Sequence, residues 1–313
     1  MFNIVRYTPE HKQDWDHYVQ KARNATFLFY RDYMDYHADR FKDHSLIIYK
    51  GQHIFALLPA HEQGDVFISH KGLTYGGLII DSNVTAVAVM EVFRQLNLYL
   101  KEANFRQVIY RAIPWIYHQQ PSEEDLYALF TVCNAQLSER KIATALFLQN
   151  QQPWRKDHRR RLNLAHSQNV EIRSNEPLER FWPLLEQRLS RKFSARPVHT
   201  LQEIQLLQSR FPENIILYGA YKDDAMVGGL LIYVTPQVIH GQYSATNEEG
   251  DNCGAMEAIY EKVFADYQHL LYFDNGTSID PDTQRVSEGL IQHKEGYGGR
   301  AICYDTYTWT IDK

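Results

Sequence analysis

Residues 270–307 read LLYFDNGTSIDPDTQRVSEGLIQHKEGYGGRAICYDTY. A short apolar run, 270–273, leads into Asp274, Asn275 and Gly276, and a polar loop, a helix-like segment, a Glu-Gly-Tyr-Gly-Gly turn at 295–299 and a further strand pattern follow. The order strand, loop, helix, turn, strand places the chain in the α/β class. A carboxylate at the end of a buried strand, beside glycines that admit close backbone approach, is where such sheets hold ligands. Asp274 therefore carries two readings, the cap of a turn or the centre of a site, and spacing favours neither.

Around this stretch, 313 residues are more than one small core needs and suit two domains of ordinary size. With 44% hydrophobic and 23% charged residues the composition is that of a globular, soluble chain. A formal charge of -5, from 33 basic and 38 acidic side chains, argues against a general nucleic-acid binder, DNA included, and leaves room for a local basic site. No apolar run approaches the roughly 18 residues of a membrane span. The opening MFNIVRYTPE lacks the charged and then apolar layout of a signal peptide. Cys133, Cys253 and Cys303 are odd in number and widely spaced, which predicts reduced thiols in a cytoplasmic protein. The 14 histidines include no His-Glu-x-x-His pattern, and no metal site is expected.

Along the chain, Thr8 and Pro9 start a helix over 10–22, and the aromatic segment 26–41 predicts a second. SLIIYK, HIFALLPA and DVFISH, between 45 and 70, read as a three-stranded meander. An apolar stripe, Val89, Val92, Phe93, Leu96 and Leu100, then marks a long helix, and QVIYRAI a strand. After Gln149 the composition turns polar and then basic, with Arg155, Lys156, Arg159, Arg160 and Arg161 close together. A domain junction is expected here, giving units 1–152 and 153–313. The basic run reads equally as a solvated helix face or as a site for a phosphorylated ligand. The second half repeats the first: a helix striped by Leu178, Phe181, Trp182, Leu185 and Leu189, a capping box at Thr200 and Glu203, and a meander over 216–246. A helix over 254–267 precedes the strand ending at Asp274. The pattern is that of an internal duplication of one α/β unit.

Two helices, a three-stranded antiparallel meander, a helix and a further strand resemble the acyltransferase unit of the GNAT superfamily, and two in tandem resemble its FemAB-like branch. The resemblance rests on GLTYGGLIID and YRAIPWIYH in the first half, and on QYSAT, YFDNGTS and GLIQHKEGYGG in the second. It implies two tandem GNAT-like units with mixed, mostly antiparallel sheets. It also implies an N-acyltransferase that passes an acyl group, with acyl-CoA as co-substrate, to an amine of a small or cell-envelope precursor such as an amino sugar. Two other readings stand beside it: aminoacyl transfer from tRNA, and a non-catalytic ligand-binding protein on the same fold. The resemblance places the reaction in the second unit. Asp274, Tyr243 and Tyr297 are its candidate catalytic residues, and Ser244, Asn275, Lys294, Arg159 and Arg160 its candidate substrate contacts. Where the superfamily binds the pyrophosphate of coenzyme A, the chain reads NEEGDNCG, so Gly250, Asn252 and Gly254 are the candidate donor contacts, with carboxylates beside them. His240 reads as a packed strand histidine more readily than as a base.

Overall fold

The computed structural model describes residues 2–193, 195–280 and 283–311. The chain forms two compact units, 1–141 with 303–313, and 142–302. Both divisions fall inside long strands, Gln136–Phe147 and Arg300–Thr310, rather than at the polar stretch near 150. The units thus differ from the expected 1–152 and 153–313, because the composition changes only after the first of these strands has ended, and the last strand returns to the first unit.

In the first unit, Phe2–Arg6, Leu46–Lys50, His53–Leu58 and Ile79–Ile80 form an antiparallel sheet in that order. Val66–Ile68 does not complete a meander with the hairpin. It pairs with His61–Gln63 and runs parallel to Gln107–Arg111, which in turn pairs with Arg300–Thr310. Pro59 explains the departure: it follows the hairpin's second strand and cannot donate to a ladder. The helix Ala86–Glu102 buries the foreseen stripe. The 26–41 segment forms three short turns, Phe27–Phe29, Arg31–Met34 and Asp35–His37, rather than one helix, with Arg31 buried over the Tyr7 ring at 3.8 Å.

The second unit has one sheet, ordered Glu171–Ser174, Ile215–Lys222, Ala225–Val234, Val238–Thr246, Tyr272–Thr277 and then residues 143–147. All pairings are antiparallel except that of 238–240 with 272–274, which the crossover helix Ala255–Asp266 makes parallel. Asp223 and Asp224 are left-handed, at φ 48° and 62°, as a two-residue hairpin turn requires. Thr200 and Glu203 form the foreseen reciprocal cap, at 3.2 and 2.7 Å. Helices cover both faces. Ala255–Asp266 packs over Leu146, Ile232, Ile239 and Phe273, and Leu178–Phe193 covers the opposite face, with the Phe181 ring against Gly229.

Burial of the crossover helix brings a carboxylate with it. Glu257 is 1% exposed, and its Oε1 accepts from His158 Nδ1 at 3.0 Å, Arg161 Nε at 3.0 Å and the Tyr297 hydroxyl at 3.1 Å. Burial alone would push this carboxyl up; the His158 hydrogen bond and the Arg161 charge outweigh it and hold it below the ordinary value. Three segments of the unit are tied at one oxygen. Because the folded value is depressed, the stabilisation is complete above the unfolded value and is lost as pH falls through the folded one. Glu257→Gln, measured by urea unfolding, is expected to cost about 2–3 kcal/mol at pH 7. The gap between the two proteins should narrow below a pH of 4.5, the group's ordinary value.

Candidate active site

The pairing of 238–246 with 272–277 is short. It holds for Val238 with Tyr272, Ile239 with Phe273 and His240 with Asp274, and then stops. From Gly241 the first strand continues along 228–232, and the second continues along 143–145. Each partner ladder carries a β-bulge at the parting point, at Gln242 on one side and between Asp274 and Thr277 on the other. Bulges bend a strand and re-aim its side chains. The two strands open a wedge whose vertex is His240 and Asp274.

Asp274 has no exposed surface. Its Oδ2 accepts from His240 Nδ1 at 3.0 Å, and its Oδ1 accepts from the Gly276 amide at 2.8 Å. Gly276 is left-handed, φ 68°, which lets that amide turn back onto the carboxylate two residues earlier. Lys294 reaches the same bulge from the helix Glu288–Glu295, donating to the carbonyls of Gly276 at 3.0 Å and Thr277 at 2.8 Å. Its burial pushes the ammonium down to about 8, against the opposing pull of Asp274. The sequence alternatives for Asp274 are thereby joined in one residue: it caps the turn and also lies at the vertex.

The other expected residues do not all converge there. Side chains opposed across a ladder share a face, so His240, Tyr233 and Asp274 point to the side covered by 178–193. Tyr243 is on that side too, with its ring near Trp182 and its hydroxyl 2.7 Å from His199 Nδ1. Phe273 and Asn275 point the other way, where Asn275 Oδ1 accepts from Tyr260 at 2.8 Å. Tyr297 belongs to that opposite face, fully buried against Tyr260 and bonded to Glu257. The candidate catalytic residues Tyr297 and Asp274 therefore do not meet in one pocket, because the sheet lies between them. Burial raises both phenols, Tyr297 well above its ordinary value with Glu257 adding to the effect, so each is a weaker acid than a free tyrosine.

Ser244 and Asn252 are exposed, as are Arg159 and Arg160 on the helix Lys156–Ser167. The basic run divides by helical period: His158 and Arg161 turn inward to Glu257, and Arg155 pairs with Asp157 at 2.7 Å. The 247–254 segment is a short helix, Glu248–Cys253, whose Gly250 amide is capped by Asn247 Oδ1 at 2.8 Å. Gly250 is required by packing, since a Cβ there would stand 2.1 Å from the Val227 carbonyl, and Gly254 is the left-handed residue between two helices. A cavity of about 270 Å³ adjoins this segment, lined by Gln187, Arg188 and Arg191 as well as Thr246, Asn247, Glu248 and Asp251. Arg188 forks onto Asp251 at 2.5 and 3.3 Å. Sequence reasoning missed this neutralising partner, since only the fold brings residue 188 to 251. It also missed Glu257, whose isolated position in an apolar helix was the available signal. Among the described residues no group of three or more His, Cys, Asp or Glu is placed to hold a metal ion, and no helix is long and apolar enough to cross a membrane.

Neither a protein-family model nor a curated protein sequence matches the chain. Solved structures do. The chain is similar to FemX, with a TM-score of 0.70 at 9% identity, over 98% of this chain and 97% of that one. It is similar to L-PGS from Bacillus licheniformis, with a TM-score of 0.58 at 11% identity, over 98% and 93%. It is also similar to a tandem GNAT protein from the clavulanic acid biosynthesis pathway, with a TM-score of 0.52 at 11% identity, over 100% and 99%. The chain therefore has the tandem GNAT-like fold of the FemX kind, along nearly its whole length.

Proposed function

We propose that this protein is an N-acyltransferase whose reaction centre lies in the second unit, at the vertex of the wedge. The observation that carries this reading is the parting of two parallel strands immediately after the hydrogen-bonded pair of a half-buried His240 and a fully buried Asp274. Amine acylation needs a neutral amine and a donor carbonyl held against each other, and stabilisation of the oxyanion that develops. A wedge between strands supplies the first requirement, because an extended ligand can lie along the edges that the strands leave unpaired. Lys294, at the bulge beside the vertex, supplies positive charge for the second.

The donor is an acyl-CoA or an aminoacyl-tRNA, and the acceptor is an amine of a small or envelope precursor. Two observations favour the tRNA reading: the Gly250 amide that a pyrophosphate would use already serves Asn247, and Arg188 is engaged by Asp251. The acyl-CoA reading is supported by the adjoining cavity, which places Arg191 at its wall.

A donor that binds only the folded protein raises its melting temperature, by the equivalent of about 2.7 kcal/mol at a hundredfold excess over Kd. Thermal-shift screening with acetyl-CoA, longer acyl-CoAs, coenzyme A and an aminoacyl-tRNA is expected to give a rise with one donor class. Mass spectrometry of a panel of amines incubated with that donor should then show an acylated product. A donor that binds without acylating any amine faster than buffer does would support the non-catalytic reading instead.

A separate expectation concerns the charge of the donor segment. Arg188→Ala leaves Asp251 without its forked partner beside the cavity, and an anionic donor should then bind at least about tenfold more weakly, the scale of one lost charge-assisted hydrogen bond. Isothermal titration with the donor found by the screen reads this directly. Unchanged affinity would remove the cavity from the donor path.

A further inference from the structure

We infer that the first unit carries a binding site for an oxyanion, a carboxylate or a phosphate, built from His61 and His70 with Lys71 and Arg111 beside them. The inference goes beyond the acyltransferase reading and does not rest on it. Three imidazoles gather here around one phenyl ring. The Phe41 ring centroid stands 4.8 Å from that of His37, 4.9 Å from that of His61 and 5.4 Å from that of His70. The His70 ring in turn lies 5.2 Å from His37 and 5.5 Å from His61. All three histidines are buried, with His61 and His70 each 3% exposed. His37 is spent on structure: its ring nitrogens face the carbonyls of Met34 at 2.7 Å and Gly72 at 3.2 Å. Gly72 is required there, since a Cβ would stand 2.2 Å from His37 Nε2. The loop is thereby pinned with His70 against His61.

The contacts of His61 and His70 fix where their protons stand. The Lys71 amide donates to His61 Nδ1 at 3.3 Å, so that nitrogen is bare and Nε2 carries the proton, with no acceptor among the described residues. His70 Nδ1 is sealed from solvent and has no partner. A sealed N–H is less tolerable than a sealed lone pair, so the His70 proton also stands on Nε2. Neither Nε2 is among the sealed atoms, so two neighbouring rings present N–H donors outward with nothing of the protein to receive them. The charge beside them is positive. Arg111 donates to the carbonyls of Lys71 at 3.0 Å, Leu73 at 2.8 Å and Thr74 at 2.9 Å, and among the described residues it has no carboxylate partner. Lys71 is exposed and likewise makes no ion pair among them. Asp43, the carboxylate that acts on His61, is engaged by Arg31 and Ser45. Burial pushes His61 down to about 4, with Lys71 and Arg111 adding to the effect. Burial likewise holds His70 well below its ordinary value, helped by His37, His61, Arg31 and Arg111. Both rings are therefore neutral donors at neutral pH. A metal ion needs bare nitrogens, whereas an oxyanion accepts from both Nε2–H groups and meets the two cations.

Long-range ¹H–¹⁵N correlation on the whole chain labelled at histidine, titrated separately with sodium acetate, inorganic phosphate and sodium chloride, tests the assignment. Before any addition, His61 and His70 are expected to be bare on Nδ1 and protonated on Nε2. A proton on His61 Nδ1 would overturn the assignment. Acetate or phosphate should then shift the ring signals of both residues together and saturably, and chloride at the same ionic strength should not. The tighter of the two tells whether the ligand offers a carboxylate or a phosphate. Lys71→Ala, at an exposed position, should keep the fold and weaken that binding by about two- to fivefold, the range of one exposed ion pair. His61→Phe keeps a ring against Phe41, removes one N–H and should abolish the saturable shift at His70. Wild-type affinity in either variant overturns the site. So do shifts that chloride reproduces or that never saturate, which would mark an effect of ionic strength alone.

Discussion

The second unit turns on the burial of one carboxylate at the point where two parallel strands separate. An ionised carboxyl without solvent must be paired and hydrogen-bonded, or the strands would not close over it. Asp274 meets that demand with an imidazole from the adjacent strand and an amide from its own bulge. The two bonds set where pairing ends, because the amide can reach back only if the strand bulges at 275–276, and a bulged strand leaves its partner. The wedge, the exposed edge of His240 and the approach of Lys294 to two carbonyls all follow from that arrangement.

Buried charge recurs on the far side of the same sheet, where Glu257 gathers His158, Arg161 and Tyr297. One of its oxygens has no partner among the described residues, nor has His158 Nε2. The glycines of the 295–299 turn serve this packing: a Cβ at Gly296 would stand 2.5 Å from His158 Nε2, and one at Gly298 would stand 2.6 Å from the Gln152 carbonyl. The turn thus holds the core of the unit, and it carries Lys294 to the bulge as a consequence.

The sequence made the second unit legible because its signals are local. Alternating strands, the Asp-Asp turn, the capping box at Thr200 and the crossover to Asp274 each reside within a few neighbouring residues. The side of the sheet on which a residue falls is not local in that sense. A bulge shifts the alternation by one residue, and only the partner strand reveals it, so Tyr243 and Tyr297 looked equivalent in sequence and lie on opposite faces. The basic run misled for the opposite reason: its charge was visible, but helical period sends Arg161 inward and Arg159 and Arg160 to solvent. In the first unit, the ladder partners of 61–68 lie beyond Pro59 in a different sheet, which no alternation pattern discloses.

Amide chemical-shift mapping of the ¹⁵N-labelled protein, titrated first with acetyl-CoA and then with an aminoacylated RNA minihelix, tests most directly whether the vertex is where the donor's acyl group arrives. The expected result is that one of the two probes moves the amides of 240–246 and 274–278 together, in a saturable manner. Saturable binding of either probe that leaves both segments unmoved and shifts amides elsewhere would contradict the account.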